Sequence, residues 1–343
     1  MSQAKNILVT GGAGYIGSHT VVELIVQGFV PVIVDDFSNS HASVLKGIEA
    51  IAGKKVELRQ VDAGSRDDLK SVFEEFSFDG VIHFAAFKAV GESVQKPLVY
   101  YRNNLDTLAN CLDLSEEFQV SNFVFSSSCT VYGELQPGQR VVTEMTLQAP
   151  ALSPYATTKK VGEQMIQDFV AAGAKIRVLN LRYFNPVGAH PSGRIGELPL
   201  GKPNNLLPAV TQTAVGKLAT VVVHGNDYDT PDGTCIRDYV HVSDVAEAHV
   251  KGLKWLVNQP EGTNEVLNIG RGEGASVLEI IHIFEEISGQ NLNWSFGPRR
   301  SGDIAEIFAD VAKAKQVLGW QAKRTVKDAV IDAWNWEQRL NHE

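Results

Sequence analysis

The feature that most constrains the fold is a regular alternation of short apolar runs with longer helical patterns in the first half of the chain. Helical patterns lie at 15–27, 66–76, 97–118 and 155–172. The apolar runs between them are NILVTG (6–11), VPVIVDD (30–36), VELRQVD (56–62), GVIHFAA (80–86), NFVFSSS (122–128) and IRVLNLRYFN (176–185). Nearly continuous apolar runs are typical of parallel strands that are covered on both faces. The alternation therefore predicts an α/β protein with a doubly wound parallel sheet, whose ligands bind at the carboxyl ends of the strands.

The alternation of apolar runs and helical patterns ends at about residue 186, in a long segment rich in glycine, proline and asparagine (185–208). A strand is predicted near 221–225, and helices at 243–257, 276–288 and 310–317. A chain of 343 residues is long enough for two domains. We expect a first domain at 1–186 and, mainly from 187–343, a smaller C-terminal α/β lobe that binds the substrate. Whether the chain crosses between the two is left open.

Composition narrows the class of protein. The net charge is −9, from 31 basic and 40 acidic residues, and no basic block suggests a nucleic-acid footprint. The first residues, MSQAKNILVTGG, contain no apolar signal segment, and no apolar run approaches the roughly 18 residues that a membrane span needs. The three cysteines, Cys111, Cys129 and Cys235, are too scattered for a disulfide framework or a metal site. We expect a cytoplasmic protein with no nucleic-acid, membrane or metal partner.

The segment VTGGAGYIGSH (9–19) places Gly11, Gly14 and Gly17 between the first strand and the first helix. Glycines let the backbone turn sharply and approach a pyrophosphate, which the helix N-terminus also favours. Eighteen residues after Gly17, Asp35 ends the second strand, where a carboxylate accepts hydrogen bonds from an adenosine ribose. Asp35 and Asp36 would repel a 2′-phosphate, and no arginine lies nearby to receive one. The sequence therefore predicts NAD rather than NADP.

Two further residues follow strands of the same sheet. Asp62 ends the third strand and could reach the adenine, although an ordinary loop carboxylate fits the spacing equally well. Lys88 follows the small residues that end the fourth strand, which suit a surface lying under a dinucleotide. Its ammonium faces either the phosphates or the solvent.

Tyr155 and Lys159 are four residues apart at the start of a predicted helix, so they lie on one helical face. Ser128 ends the fifth strand and points into the same crevice. An adjacent ammonium and a nicotinamide cation both favour a phenolate, which lowers the pKa of a tyrosine from its ordinary value near 10. A lone pair of this kind is often a solvated helix face. Together with the glycine loop, however, it predicts an acid–base pair, with Ser128 hydrogen-bonded to the reacting oxygen.

The G-x-x-G-x-x-G and Y-x-x-x-K spacings resemble the extended short-chain dehydrogenase/reductase family, most closely its nucleotide-sugar 4-epimerases. The resemblance runs over nearly the whole chain and is carried by HFAAFKAVGESVQKPLVYYRNN (83–104), SSSCTVYG (126–133), SPYATTK (153–159), RYFNPVGAHPSG (182–193), PNNLLP (203–208), HGNDYDTPDGTCIRDYVHV (224–242) and RRSGD (299–303). It implies a Rossmann-like fold, a homodimer, and NAD-dependent inversion at C4 of a UDP-hexose such as UDP-glucose or UDP-galactose. The reaction would pass through a transient 4-keto sugar, with Tyr155 as acid and base.

The resemblance also implies which residues form each site. The catalytic positions match Ser128, Tyr155 and Lys159. The cofactor positions match Gly11, Gly14, Tyr15, Ile16, Gly17, Asp35, Asp36, Asp62, Phe84, Ala85, Lys88, Asn103, Ser126, Tyr155, Lys159 and Tyr183 or Phe184. The UDP-sugar positions match Ser128, Thr130, Tyr155, Asn185, Asn204, Asn205, Leu206, His224, Arg237, Arg300, Asp303 and Ile307. Two of them, Arg237 and Arg300, could clamp a diphosphate through charge-assisted hydrogen bonds.

Several positions depart from the family pattern. Cys129 stands where alanine is common, and His224 stands where an aromatic residue usually flanks the uracil. Ile307 occupies a position where tyrosine excludes a 2-acetamido group and cysteine admits it. Its intermediate size predicts weaker activity on N-acetylated UDP-hexosamines, unless the side chain simply packs in the core of the lobe.

Three other functions use the same scaffold. A nucleotide-sugar 4,6-dehydratase places an acidic pair where this chain has Cys129 and Thr130. A non-catalytic dinucleotide sensor typically lacks the Tyr155–Lys159 pair, and simple ketoreductases lack the UDP-holding positions of the C-terminal lobe. The residues therefore favour the epimerase.

Overall fold

The computed structural model describes residues 5–136, 138–300 and 303–342, so Ser301 and Gly302 of the RRSGD segment lie outside the described residues. The strands in chain order are β1 (Asn6–Thr10), β2 (Val30–Val34), β3 (Glu57–Arg59), β4 (Gly80–His83), β5 (Asn122–Ser128), β6 (Val141–Val142), β7 (Arg177–Tyr183), β8 (Asn185–Val187), β9 (Val221–His224), β10 (Ile236–Arg237), β11 (Tyr239–His241), β12 (Asn264–Ile269), β13 (Ala275–Ser276), β14 (Trp294–Gly297) and β15 (Glu306–Ala309).

The α-helices are α1 (Tyr15–Val26), α2 (Ser43–Ala52), α3 (Arg66–Glu75), α4 (Val90–Gln95), α5 (Pro97–Glu117), α6 (Pro154–Ala171), α7 (Leu206–Ala214), α8 (Val242–Leu256), α9 (Val277–Ser288), α10 (Ala312–Leu318) and α11 (Val326–His342). A short 3₁₀ helix (Cys129–Tyr132) follows β5. In the part of the chain that the structure describes, no helix is long and apolar enough to cross a membrane.

Seven parallel strands form the main sheet, in the order β12-β7-β5-β4-β1-β2-β3. The six strands predicted from the apolar runs are all present, which confirms the α/β class and the doubly wound sheet. The seventh strand, β12, pairs with β7 from Asn264↔Val178 to Ile269↔Tyr183. Sequence reasoning missed it because its first residues, Asn264 and Glu265, are polar and the run lies far beyond the other strands.

Helices cover both faces of this sheet. On one face α1 packs against α8, and Val21, Leu24 and Leu253 belong to one buried core with the strands. On the other face, a second core contains Leu108 from α5 and Ile166 from α6. Burial on both faces is the reason that the strands read as continuous apolar runs.

A third buried core lies outside the main sheet. It joins α7, β9, α9 and α11, and the ring of Phe284 meets that of Trp334 edge to face at 5.3 Å between centroids. Although β12 and α8 also come from the C-terminal half of the chain, they complete the main sheet and its cover. The C-terminal half therefore contributes to both bodies.

The strand order reverses beside β1, which lies between β2 and β4. In open parallel sheets, the loops that leave such a position in opposite directions open a crevice at the carboxyl ends of the strands. The residues after β1, β2, β4, β5 and β7 all reach this edge. The fold therefore predicts the ligand site there.

Candidate active site

One cavity of about 900 Å³ occupies this edge of the sheet. Most of the predicted site residues line it, and they come from both halves of the chain: Gly11, Gly14, Tyr15, Ile16, Gly17, Asp35, Asp36, Asp62, Phe84, Ala85, Lys88, Asn103, Ser126, Thr130, Tyr155, Lys159, Tyr183, Asn185, Asn204, Asn205, Arg237, Arg300, Asp303 and Ile307. Four others, Ser128, Phe184, Leu206 and His224, lie outside its lining. The residues predicted for the dinucleotide and those predicted for the sugar nucleotide thus share one continuous space.

The glycine loop forms a tight cradle at one end of this cavity. Gly11 has a left-handed backbone (φ 68°), and a Cβ added there would lie 2.8 Å from the Ala85 nitrogen. A Cβ on Gly17 would lie only 2.3 Å from the Gly11 carbonyl oxygen. Gly14 caps α1 without a side-chain hydrogen bond, which leaves the N–H groups of the first turn to other acceptors. This arrangement fits a pyrophosphate at the helix N-terminus.

Asp35 ties the end of β2 to the glycine loop. Its carboxylate accepts hydrogen bonds from the Ala13 nitrogen (2.9 Å), the Phe37 nitrogen (3.0 Å) and the Ser40 hydroxyl (2.7 Å). Burial raises the pKa of Asp35, and these three bonds act against that rise. Sequence reasoning assigned this residue only to a ribose and missed its part in shaping the loop. Nearby, Asp62 accepts a hydrogen bond from the Gly64 nitrogen at 2.7 Å.

Helix α6 starts at the reacting end of the site. The Ser153 hydroxyl caps it by accepting a hydrogen bond from the Ala156 nitrogen (3.2 Å), and Pro154 occupies the first turn. These residues fix the start of the helix, which presents Tyr155 to the cavity. The tyrosine side chain is buried, and burial raises its pKa to about 12, against the lowering effect of a hydrogen bond with Ser128.

Lys159 lies one turn further along the same face. Its Nζ donates to the Ser126 carbonyl oxygen at 2.6 Å and lies 5.0 Å from the ring centroid of Phe125. Burial lowers the pKa of Lys159 to about 8. From the sequence, the ammonium and the cofactor cation together are expected to lower the pKa of Tyr155. Among the protein's own groups, desolvation dominates and raises it.

The end of β5 supplies the remaining polar groups. The Ser128 hydroxyl accepts hydrogen bonds from the nitrogen (3.2 Å) and the hydroxyl (3.1 Å) of Thr130, so Thr130, and not Ser128, faces the cavity. The hydroxyls of Ser126 and Tyr183 are hydrogen-bonded to each other. Burial raises the pKa of the Cys129 thiol to about 12, so this group stays protonated at neutral pH.

Two arginines line the far end of the cavity. An Nη atom of Arg237 donates to the Ile236 carbonyl oxygen at 2.9 Å, and another lies 3.4 Å from an Asp303 carboxylate oxygen. Arg300 donates to the Asn204 carbonyl oxygen at 3.4 Å. Both guanidinium groups retain donors for an anionic ligand.

Apart from Ser128, the residues outside the lining are Leu206, His224 and Phe184, and each has contacts away from the cavity. Leu206 packs against the core of the C-terminal lobe, and the His224 Nδ1 lies 3.1 Å from the Pro298 carbonyl oxygen. Phe184 packs in a small buried cluster with Ile307. Ile307 therefore both lines the cavity and packs in a core, which combines the two alternatives for this residue.

Sequence reasoning missed an acidic residue that joins the two ends of the site. One Glu197 carboxylate oxygen accepts hydrogen bonds from Lys88 Nζ (2.9 Å) and from the Asn205 amide nitrogen (2.6 Å). Lys88 comes from the loop after β4, and Asn205 from the segment before α7. Glu197 lies in a loop without periodicity, so only its position between two glycine- and proline-rich stretches could have drawn attention to it.

Comparison with known proteins places this geometry in a family. The chain is 50% identical over 331 residues to the UDP-glucose 4-epimerase of Bacillus subtilis (strain 168), with 96% of each chain covered. Its structure matches the UDP-glucose-4-epimerase of Stenotrophomonas maltophila with bound NAD and formylated UDP-arabinopyranose, with a TM-score of 0.94 and 45% identity over 98% of this chain and 99% of that one. The match to the Bifidobacterium longum enzyme in complex with NAD+ and UDP has a TM-score of 0.94 and 44% identity, with 98% of each chain covered.

The family model for NAD dependent epimerases and dehydratases matches residues 7–270, which include the glycine loop, the Tyr155–Lys159 pair and the seven strands of the main sheet except Asn6, the first residue of β1. The chain belongs to the NAD dependent epimerase/dehydratase family.

Proposed function

We propose that this chain is an NAD-dependent epimerase that inverts C4 of UDP-hexoses and interconverts UDP-glucose and UDP-galactose. The observation that carries the proposal is the single cavity in which the glycine cradle, the Tyr155–Lys159 pair and the two arginines meet. Relatives and solved structures that are similar to this chain are named as UDP-glucose 4-epimerases, and two of the structures hold NAD together with UDP or a UDP-sugar.

The residues present fit an NAD molecule. The uncapped first turn of α1 and the close approach of Gly11 and Gly17 suit its pyrophosphate, and the Asp35 and Asp36 carboxylates suit an unphosphorylated ribose. When bound, NAD+ supplies a hydride acceptor that oxidises C4 and later returns the hydride. Lys159, whose Nζ donates to the Ser126 carbonyl oxygen, would hold the ribose of the nicotinamide half.

Tyr155 moves the proton of the reaction. Its phenolic oxygen takes the proton from the 4-hydroxyl of the sugar and later returns it to the same oxygen. Because burial raises the tyrosine pKa to about 12, this step depends on positive charge nearby, which the Lys159 ammonium provides. Ser128, hydrogen-bonded to Tyr155, orients the phenol, and Thr130 presents its hydroxyl to the sugar.

Inversion requires the hexose to present both faces to one hydride carrier. The UDP must therefore be held firmly and the sugar loosely. Arg237 and Arg300 clamp the diphosphate at the far end of the cavity. The sugar end is lined by Ile307 and Thr130, whose short side chains leave room for rotation.

The exposed apolar surface and the cysteines bear on the assembly and location of the protein. Helices α4 and α5 expose Val94 (61%), Leu98 (67%) and Val99 (47%), an apolar surface that suits a homodimer interface. All three cysteines are free, which agrees with a cytoplasmic location. We also propose that residues 1–186 form the NAD domain and 187–343 mainly the UDP-sugar lobe, with β12 and α8 crossing into the first.

The proposal is tested by incubating the purified protein with UDP-galactose and following the products by NMR, with an acid extract assayed for NAD. We expect UDP-glucose to form without added cofactor, because the cycle has no net redox change. A 4-keto-6-deoxy product would instead identify a dehydratase, and a protein that binds NAD but leaves UDP-galactose unchanged would identify a sensor.

A further inference from the structure

A buried ion pair lies directly behind the reacting end of the site. Glu163 of α6 and Arg182 of β7 are joined by two hydrogen bonds, from Arg182 Nε (2.8 Å) and Nη2 (2.6 Å) to the two carboxylate oxygens. The exposed fractions of the two side chains are only 10% and 5%. Charges are rarely buried to this degree unless they are paired, and removing one partner alone would leave the other charge buried without compensation.

Two further side chains contact the carboxylate of Glu163. The Ser127 hydroxyl donates to it at 2.5 Å, and the Gln148 amide nitrogen lies 3.3 Å from it. Ser127 is the residue between Ser126, whose carbonyl accepts from Lys159, and Ser128, which bonds to Tyr155. The ion pair is therefore anchored to the strand end that carries the reacting groups.

Helix geometry aligns this charge with the acid–base pair. Tyr155, Lys159 and Glu163 are spaced four residues apart along α6, so all three side chains lie on one face. The Lys159 ammonium is buried and donates to a neutral carbonyl oxygen. We propose that Glu163 is a positioning residue of the reaction: its fixed negative charge keeps Lys159 in the ammonium form that supports Tyr155.

The electrostatics of the site support this inference, which rests on the proposed function. Burial lowers the pKa of Lys159, and the charge of Glu163 raises it against burial. Burial also keeps the other titratable groups around the pair uncharged at neutral pH, namely His83 of β4, Tyr100 of α5, Cys129 and Tyr132 of the 3₁₀ helix and Tyr183 of β7.

Most of the other acidic residues on helices and strands that pack against α6 are paired with a basic residue, and the rest are solvent-exposed. On α5, Asp113 and Glu117 pair with Arg66 at 2.6 and 2.7 Å, and Asp106 and Glu116 are exposed. Glu92 of α4 pairs with Lys96 at 3.0 Å, and Glu265 of β12 pairs with Lys313 at 2.6 Å. Glu92 is also solvent-exposed, so its field at the site is screened. The positive charge of Arg182, which is paired with Glu163 at 2.6 Å, opposes the field of that carboxylate.

The test compares kcat for UDP-galactose as a function of pH in the holoenzyme and in Glu163→Gln. The substitution keeps the shape and the hydrogen-bonding reach of the side chain but removes its charge. We expect the pH profile to move to lower pH by about one unit, a typical effect of one charge about a helical turn away. KM should change little. The matched control, Ser127→Ala, loses a bond to Glu163 but keeps the charge, and its profile should not move.

Glu163→Gln leaves Arg182 without its counterion, which could prevent folding. The double variant Glu163→Gln/Arg182→Met removes both charges, and we expect it to fold and to show a profile moved to lower pH. A wild-type profile in folded Glu163→Gln or in the double variant would overturn the inference. If the wild type is active and the pH profiles of the variants do not move, only this inference is refuted. If the wild type is inactive on UDP-galactose, the proposed function is refuted.

Discussion

Substituting Tyr155 by phenylalanine is the sharpest perturbation of the reacting site. The ring is buried, with 8% of the residue exposed, and phenylalanine preserves its packing. Only the hydroxyl is lost, together with its hydrogen bond to Ser128. One such bond contributes about 1 kcal/mol to stability, so the variant should fold and retain NAD.

The cost to catalysis is much larger. With a pKa of about 12, only about one Tyr155 in 10⁴ would be ionised at pH 8 without the positive charge of the ligand, so the phenol depends on its surroundings to act as a base. Positioned acid–base catalysis accelerates a step about 10²–10⁴-fold, which corresponds to about 3–5 kcal/mol of transition-state stabilisation. We expect Tyr155→Phe to lose turnover by that factor.

The assay follows conversion of UDP-galactose by NMR, beside the melting temperature and the NAD content of an acid extract. Tyr183→Phe is the matched control, because this buried phenol is hydrogen-bonded to Ser126 and we assign it no proton transfer. We expect it to lose less than about tenfold. Turnover of Tyr155→Phe within a few-fold of the wild type, with NAD retained, would refute the acid–base role.

Three other predictions follow from the same site. Because Asp35 and Asp36 repel a 2′-phosphate at a cost of several kcal/mol, exchange of the protein into NADP should restore far less activity than exchange into NAD; equal recovery would place the ribose elsewhere. UDP-N-acetylhexosamines should react more slowly than UDP-hexoses, because the stiff Ile307 side chain adds a barrier of about 1–3 kcal/mol. Ile307→Cys should narrow this difference in rate, and Ile307→Tyr should widen it. An unchanged substrate preference in both variants would show that Ile307 does not control access of the N-acetyl group. Since Lys159 has a pKa of about 8 and acts as an ammonium, kcat should fall as the pH rises through about 8; constant kcat up to pH 10 would show that its charge is not needed.

The sequence predicted the main sheet because continuous apolar runs leave few alternatives to parallel strands buried on both faces. The glycine loop could also be predicted from the sequence, because Gly11 and Gly17 lie where a Cβ would collide with backbone atoms. β12 was missed for a physical reason. Its pairing with β7 joins residues more than eighty positions apart, and its first residues are polar.

The parts of the site that a single local sequence pattern specifies could be predicted. The parts that residues distant in the chain form together could not. The spacing of Tyr155 and Lys159 places both on one face, and it also aligns Glu163. The partner Arg182, however, comes from another strand, so only the fold brings the ion pair together. The same holds for Glu197, which connects Lys88 to Asn205 across the cavity.

The most direct test of the account is epimerisation of UDP-galactose in D₂O, with the product examined by NMR for deuterium at C4. If the hydrogen at C4 leaves and returns as a hydride within one closed site, the UDP-glucose formed will carry protium at C4. Deuterium at C4 would show that this hydrogen exchanges with solvent as a proton, and it would contradict the oxidation and reduction on which the proposed function depends.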